Sequence, residues 1–235
     1  VLLPTINFKF ILVSGDCDET IPNEIFNREN FNKFINDERI IHWFCQNMVT
    51  KHPKITIIPI ALDYHTMTTN KMWGPITSCQ DQEKILNSII KNSQPFFTRE
   101  IKCYANNHFS MNTKLGYDRK EAFAQINKEL VFYEPQKVSR LITWNNQKDY
   151  AFTICPHGGG FDCHRNWEAL CLGCIPIVKT SEIDHLYDGL PVLIVQNWND
   201  ITQKLLEETV AQFKEKHDNN EFNYAKLSLE YWTDL

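Results

Sequence analysis

The chain has 235 residues, 43% hydrophobic and 23% charged, with a formal net charge of −5, an ordinary balance for a globular protein. It is long enough for one large or two small domains and too long for a short disulfide scaffold. No long basic run appears, which excludes a nucleic-acid polymer as the expected partner, and no apolar run approaches the length of a membrane span.

In chain order, residues 8–13 form an apolar, β-rich run that ends in Ser-Gly-Asp at 14–16. This predicts a buried parallel strand delivering a loop to its carboxyl end, where open α/β sheets bind ligands. Residues 23–37 are polar, with Phe26, Phe31 and Phe34 spaced for an amphipathic helix. Residues 40–45 predict a second strand. Residues 54–62, interrupted by Pro59, predict a third, which ends in Asp63-Tyr-His65. Polar groups thus gather at three successive strand ends and are expected to wall one side of a cleft. Residues 81–91 predict a helix. Pro95, within residues 93–98, marks the expected boundary between lobes at 1–96 and 97–235.

The second lobe is predicted to open with a strand at 101–105 and a polar loop carrying His108 and Lys114. A helix from Arg119 to Leu130, capped by Asp118, should follow. A short strand is expected at 131–133, then a connector over residues 134–149. Further on lie a loop with a short helix at 179–187, a strand at 190–195, a helix at 201–216 and a final helix at 219–235.

Residues 150–178 carry the most information. Tyr150 to Cys155 reads as a buried strand, and Gly158, Gly159 and Gly160 follow it. The glycines allow positive φ and close approach of a ligand to the main chain. Asp162 is the expected N-cap of a helix that stops at Gly173, and residues 175–178 give the next strand. A helix opening beside a glycine loop turns its free N–H groups and positive dipole end towards that loop, so a phosphate is the expected guest. Arg165 and Glu168 share the face of its first turns. Arg165 is suited to a diphosphate and Glu168 to the two hydroxyls of a ribose. A plain Arg–Glu pair beside a structural turn is the alternative.

Pro156-His-Gly-Gly-Gly, Asp162-Cys-His-Arg-Asn-Trp-Glu-Ala-Leu and Leu172-Gly-Cys-Ile-Pro-Ile-Val together resemble the donor-binding half of exostosin-like glycosyltransferases. The resemblance is strongest over residues 150–200 and weaker over residues 8–65. It implies an α/β fold of two Rossmann-like lobes of the GT-B type, the first short, with a C-terminal helix closing back on it. It also implies transfer of a sugar from a nucleoside diphosphate sugar, such as a UDP-sugar, to a glycan or other hydroxyl acceptor. Inversion without an obligatory metal and no separate cofactor belong to the same expectation. Glu168 matches the family's ribose-binding glutamate, and the second glutamate of many GT-B enzymes is replaced here by Gly160. The donor set implied is His157, Gly158, Gly159, Arg165, Glu168, Arg119 and Lys114. Inversion needs a general base from the opposite lobe, and Asp16, Asp63 and His65 are the candidates.

Two other function classes compete. A dehydrogenase or methyltransferase would place its glycine fingerprint after the first strand, and here the glycines come late. A non-catalytic nucleotide- or sugar-binding module would keep Glu168 and the glycines without a working acceptor lobe. The eight cysteines include Cys171-x-x-Cys174, but no second pair has zinc-ribbon spacing, so no metal is expected. The absence of Asn-x-Ser/Thr sequons and of a signal peptide leans towards the cytoplasm. Val1 in place of methionine leaves targeting open.

Overall fold

The computed structural model describes residues 3–15 and 17–234. It is an α/β structure with two parallel sheets flanked by helices. The first sheet has the order β1 (Phe10–Ser14), β2 (Ile40–Cys45), β3 (Ile55–Ile57). Its inward face carries Phe10, Leu12, Trp43 and Cys45. Trp43 packs edge-on against Phe26 and Phe34 and donates its indole N–H to Ser14 at 2.8 Å. Two helices follow this pattern, α1 (Arg28–Ile35) and α3 (Cys79–Lys91), with the one-turn α2 (Thr66–Thr69) between them. The start of α1 is later than residue 23, because the Asn27 side chain accepts from Asn30 N and sets the cap there. The third strand stops at Ile57 instead of residue 62. Pro59 has no N–H for a ladder, and Ala61 has a φ of 57°.

The second sheet has the order β5 (Val131–Tyr133), β4 (Glu100–Ala105), β6 (Tyr150–Ile154), β7 (Ile175–Lys179), β8 (Leu193–Val195), all parallel. The chain runs from β4 outward to β5, then crosses back to β6. The order reverses between β4 and β6, and such a reversal opens a crevice above the carboxyl ends of the two strands. The helices are α4 (Gly116–Gln125), α5 (Arg140–Gln147), α6 (His164–Cys171) and α7 (Gln203–Asp218). One face of this sheet is closed by α4 and α7, through Ala122, Leu206, Val210 and Phe213. The other face shares a continuous core with the first sheet, joining Trp43, Ile55 and Leu86 to Trp144, Trp167 and Leu170.

Several expectations are corrected. Asp118 does not cap α4. It lies inside the first turn, fully buried, and accepts from His157 N at 2.8 Å and Trp198 Nε1 at 2.7 Å. Residues 134–149 are more than a connector, since they hold α5, capped by Ser139. The last strand is three residues long, and residues 219–235 do not form one helix. A 3-10 turn at Tyr224–Leu227 ends at Ser228, which caps α8 (Leu229–Thr233). The closing segment does reach the first sheet's outer face. Leu227 and Trp232 pack on the shared core and, with Ile11, Val13 and Phe44, wall an apolar cavity of about 900 Å³. Among the described residues no helix is long and apolar enough to cross a membrane.

Candidate functional site

A cavity of about 520 Å³, lined by many polar residues, lies where the carboxyl ends of both sheets meet. Cys17, Asp18, Ile60, Asp63 and His65 reach it from loops after β1 and β3. Asn106 and Ser110 enter after β4, and Gly159, Cys163, Arg165 and Glu168 after β6 and along α6. The loops that flank the strand reversal therefore supply much of the wall.

Asp162 ties these loops together. It is fully buried and is not the N-cap of α6; Cys163 holds that position without a side-chain cap. The Asp162 carboxylate instead accepts from Ile60 N (2.8 Å), Cys163 N (3.0 Å), Trp167 Nε1 (2.9 Å) and the Tyr187 hydroxyl (3.3 Å). Its own N–H donates to Asn47. Burial pushes its pKa up to about 6, against the opposing pull of these donors. The far end of α6 is closed by Gly173, whose φ is 71°. Gly173 N donates to Leu170 O and Cys174 N to Ala169 O, a Schellman pair that satisfies the last carbonyls.

The glycines serve close packing. None of Gly158, Gly159 and Gly160 has a positive φ, contrary to expectation. A Cβ at Gly158 would collide with the Arg119 guanidinium, and one at Gly159 with the Asp18 carboxylate. Gly158 is covered by Arg119 and does not line the cavity, whereas Gly159 does. His157 also stands behind the loop: it is buried, its Nδ1 is 3.2 Å from Asp118, and its carbonyl accepts from Arg119 Nε. Lys114 is drawn away to Glu24, 2.5 Å distant, and does not line the cavity. His157, Gly158 and Lys114 are thus not placed as direct ligand contacts.

Arg119 and Arg165 both line the cavity and lie close enough for mutual repulsion. Burial first, then the Arg165 charge, lowers the Arg119 pKa from its ordinary value. Arg119 donates to His157 O and to Ser110 O at 2.7 Å. Arg165 makes no hydrogen bond or ion pair with a described residue, and its Nη1 is buried without an acceptor. Two neighbouring guanidiniums, one of them without a partner among the described residues, concentrate positive charge beside a helix N-terminus.

Glu168 faces the cavity, but it is not alone there. Arg140 Nε lies 3.3 Å from Glu168 Oε1, and Arg140 Nη2 lies 2.8 Å from Asp63 Oδ2. Arg140 Nη1 also donates to the Asp63 carbonyl. All three side chains are buried, and the trio joins the loop after β3 to α5 and α6. Burial would raise the Asp63 pKa, yet the hydrogen bonds from Arg140 and Thr66 prevail and hold it down at about 2. A carboxylate so held is a poor proton acceptor at neutral pH. His65 lines the cavity with Nδ1 3.2 Å from Asp63 Oδ1. Asp16 lies outside the described residues.

Sequence reading missed Arg140, Thr143 and Gln147, which line the cavity from α5. The inward face of that helix is mostly polar: Arg140, Thr143 and Gln147 are buried beside Trp144, and Leu141 and Ile142 are exposed. Ser139, as a capping residue, was the one signal present. Among the described residues no three His, Cys, Asp or Glu side chains stand together as metal ligands, and all eight cysteines are free. No protein-family model matches the chain, and no curated protein matches it.

Proposed function

We infer that the cavity binds a nucleoside diphosphate sugar and that the protein is a glycosyltransferase of the GT-B type, similar to the exostosin-like enzymes. The carrying observation is the unpaired Arg165, buried at Nη1 beside Gly159 and Arg119 above the strand reversal. A half-buried guanidinium with one nitrogen shut off from both water and any acceptor is costly, and a diphosphate would relieve that cost. Glu168, one turn further along α6, would take the ribose hydroxyls with the carboxylate oxygen that Arg140 does not hold. In the transfer step, a base removes the acceptor hydroxyl proton as that oxygen bonds to the anomeric carbon. The bond from that carbon to the diphosphate breaks, and Arg165 and Arg119 stabilise the charge gathering on the leaving group. His65, oriented by Asp63, is the base this geometry favours, with a glycan or other hydroxyl compound as acceptor.

Calorimetry with uridine, guanosine and adenosine diphosphates tests the site. Arg165→Gln should weaken the preferred nucleotide about ten- to a hundredfold, the size of a lost charge-assisted contact. Its melting temperature should hold, since no described partner of Arg165 is lost. Glu168→Ala should weaken binding by a similar factor. A wild-type protein that binds none of these nucleotides would remove the reading.

The Asp63 ion pair favours a second reading, a non-catalytic nucleotide-binding module, because it occupies the best-placed acidic side chain. Turnover of a nucleotide sugar that disappears in His65→Ala would decide for the enzyme. Tight nucleotide binding without turnover would decide for the module.

A further inference from the structure

β1 is the outer strand of the first sheet, and among the described residues no strand pairs with its free edge. Phe10 N donates to Arg39 O, and Ser14 O accepts from Gln46 N, so these residues turn their backbone groups towards β2. Backbone direction alternates along a strand, so Ile11 and Val13 point their N–H and C=O groups out of the edge. Their side chains are open too, at 55% and 65% exposure. Natural edges are blunted by charge or proline. β1 reads Phe-Ile-Leu-Val-Ser and has neither. Its register irregularity falls between Phe10 and Ile11 and leaves Ile11 to Ser14 in step with β2.

We propose that the edge of β1 pairs with the same edge of a second copy of the chain, the two strands antiparallel about a twofold axis through Leu12. A copy is selected by self-match. That axis sets Ile11 opposite Val13 of the second copy, and Val13 opposite its Ile11. These are the residues with outward backbone groups, so each pair exchanges both of its hydrogen bonds. The same register brings exposed β-branched side chains together on one face. Lys9 falls opposite Gly15 of the second copy, so no like charges meet. An axis midway between two residues would instead set outward groups against groups already spent on β2. The contact is isologous and closes, and it joins two three-stranded sheets into one. It does not depend on what the polar cavity binds.

Sedimentation equilibrium over about a hundredfold range of protein concentration tests the pairing. The mass should rise from that of one chain, 27.6 kDa, towards twice that value. Ile11→Pro removes an edge donor and spares the β2 ladder, since proline is tolerated where the N–H faces outward. Val13→Lys charges the same edge. Each should weaken the dimer about tenfold or more, the loss of paired hydrogen bonds and apolar contact. Their circular dichroism should match wild type. Leu12→Cys should link two copies through position 12 on mild oxidation, because that pair lies on the axis with Cα atoms about 4.5 Å apart, within disulfide reach. Peptide mapping separates this bond from any made by the native cysteines. A wild type that keeps the mass of one chain throughout would overturn the proposal. So would a dimer that both edge variants leave intact, or one that forms no bond through position 12, since its interface would lie elsewhere.

Discussion

Arg140→Leu should lower the free energy of unfolding by about 3–5 kcal/mol at neutral pH, the usual cost of stripping one partner from a buried ion pair. Arg140 stands between Asp63 and Glu168, both buried, and its removal leaves two carboxylates facing each other without a cation. The Asp63 carbonyl loses a donor as well. Urea denaturation at pH 7 measures the effect. The deficit should shrink as pH falls towards 2, where the wild type also loses the stability that its ionised Asp63 supplies. A triple variant with Leu at 63, 140 and 168 should recover most of the loss, because an apolar trio avoids the desolvation cost of the charged one. A single variant as stable as wild type would mean that the trio carries no net energy.

Asp162→Ala should be comparably damaging. The carboxylate satisfies the buried Trp167 Nε1 and the half-buried Ile60 N, besides Cys163 N and the Tyr187 hydroxyl. Each orphaned donor costs about 1–3 kcal/mol, so a total of about 3–5 kcal/mol is expected. Asp162→Asn isolates the charge. The folded pKa of about 6 lies above the ordinary 3.8, so the folded state holds the extra proton between those values. Stability from this group is complete below about pH 4 and is lost as pH rises through about 6, on the order of 3 kcal/mol in all. Asp63 works in a different window. Its pKa of about 2 gives stability above about pH 4 that is lost as pH falls towards 2. Denaturation curves at pH 4, 5, 6 and 7 should therefore slope downward in wild type relative to Asp162→Asn. Parallel curves would show that Asp162 does not titrate in that range.

Much of the frame was legible because it rests on local signals. The strand at Ile40–Cys45 is an apolar run broken only by His42, and the stop of α6 at Gly173 follows from a glycine that takes a positive φ. Arg165 and Glu168 could be set on one face by spacing alone, and both do face the cavity. What escaped depends on partners distant in sequence. Asp118 and Asp162 look like caps in sequence, but buried tryptophan N–H groups claim both. The glycine loop suggested a ligand pressed against the main chain, whereas Arg119 and Asp18 press there instead. Asp63 seemed a free acid until α5 brought Arg140 to it. α5 itself was unreadable because hydrophobic periodicity assumes that the inward face is apolar.

That mixed pattern bears on the order of folding. An isolated α5 has two apolar faces in competition, Trp144 on one and Leu141 with Ile142 on the other, so burial of apolar surface alone does not choose between them. Only when the loop after β3 and the first turns of α6 bring up Asp63 and Glu168 does the native orientation become the better one. Local preference leaves this helix undecided, and the ion pairs decide it. α5 should therefore settle late. Ser139→Ala, which weakens its cap, and Leu141→Ala should leave the folding rate nearly unchanged, with φ-values near 0 where the stability change is large enough to measure. Values near 1 at these positions would show instead that the helix takes its native face before the carboxylates arrive.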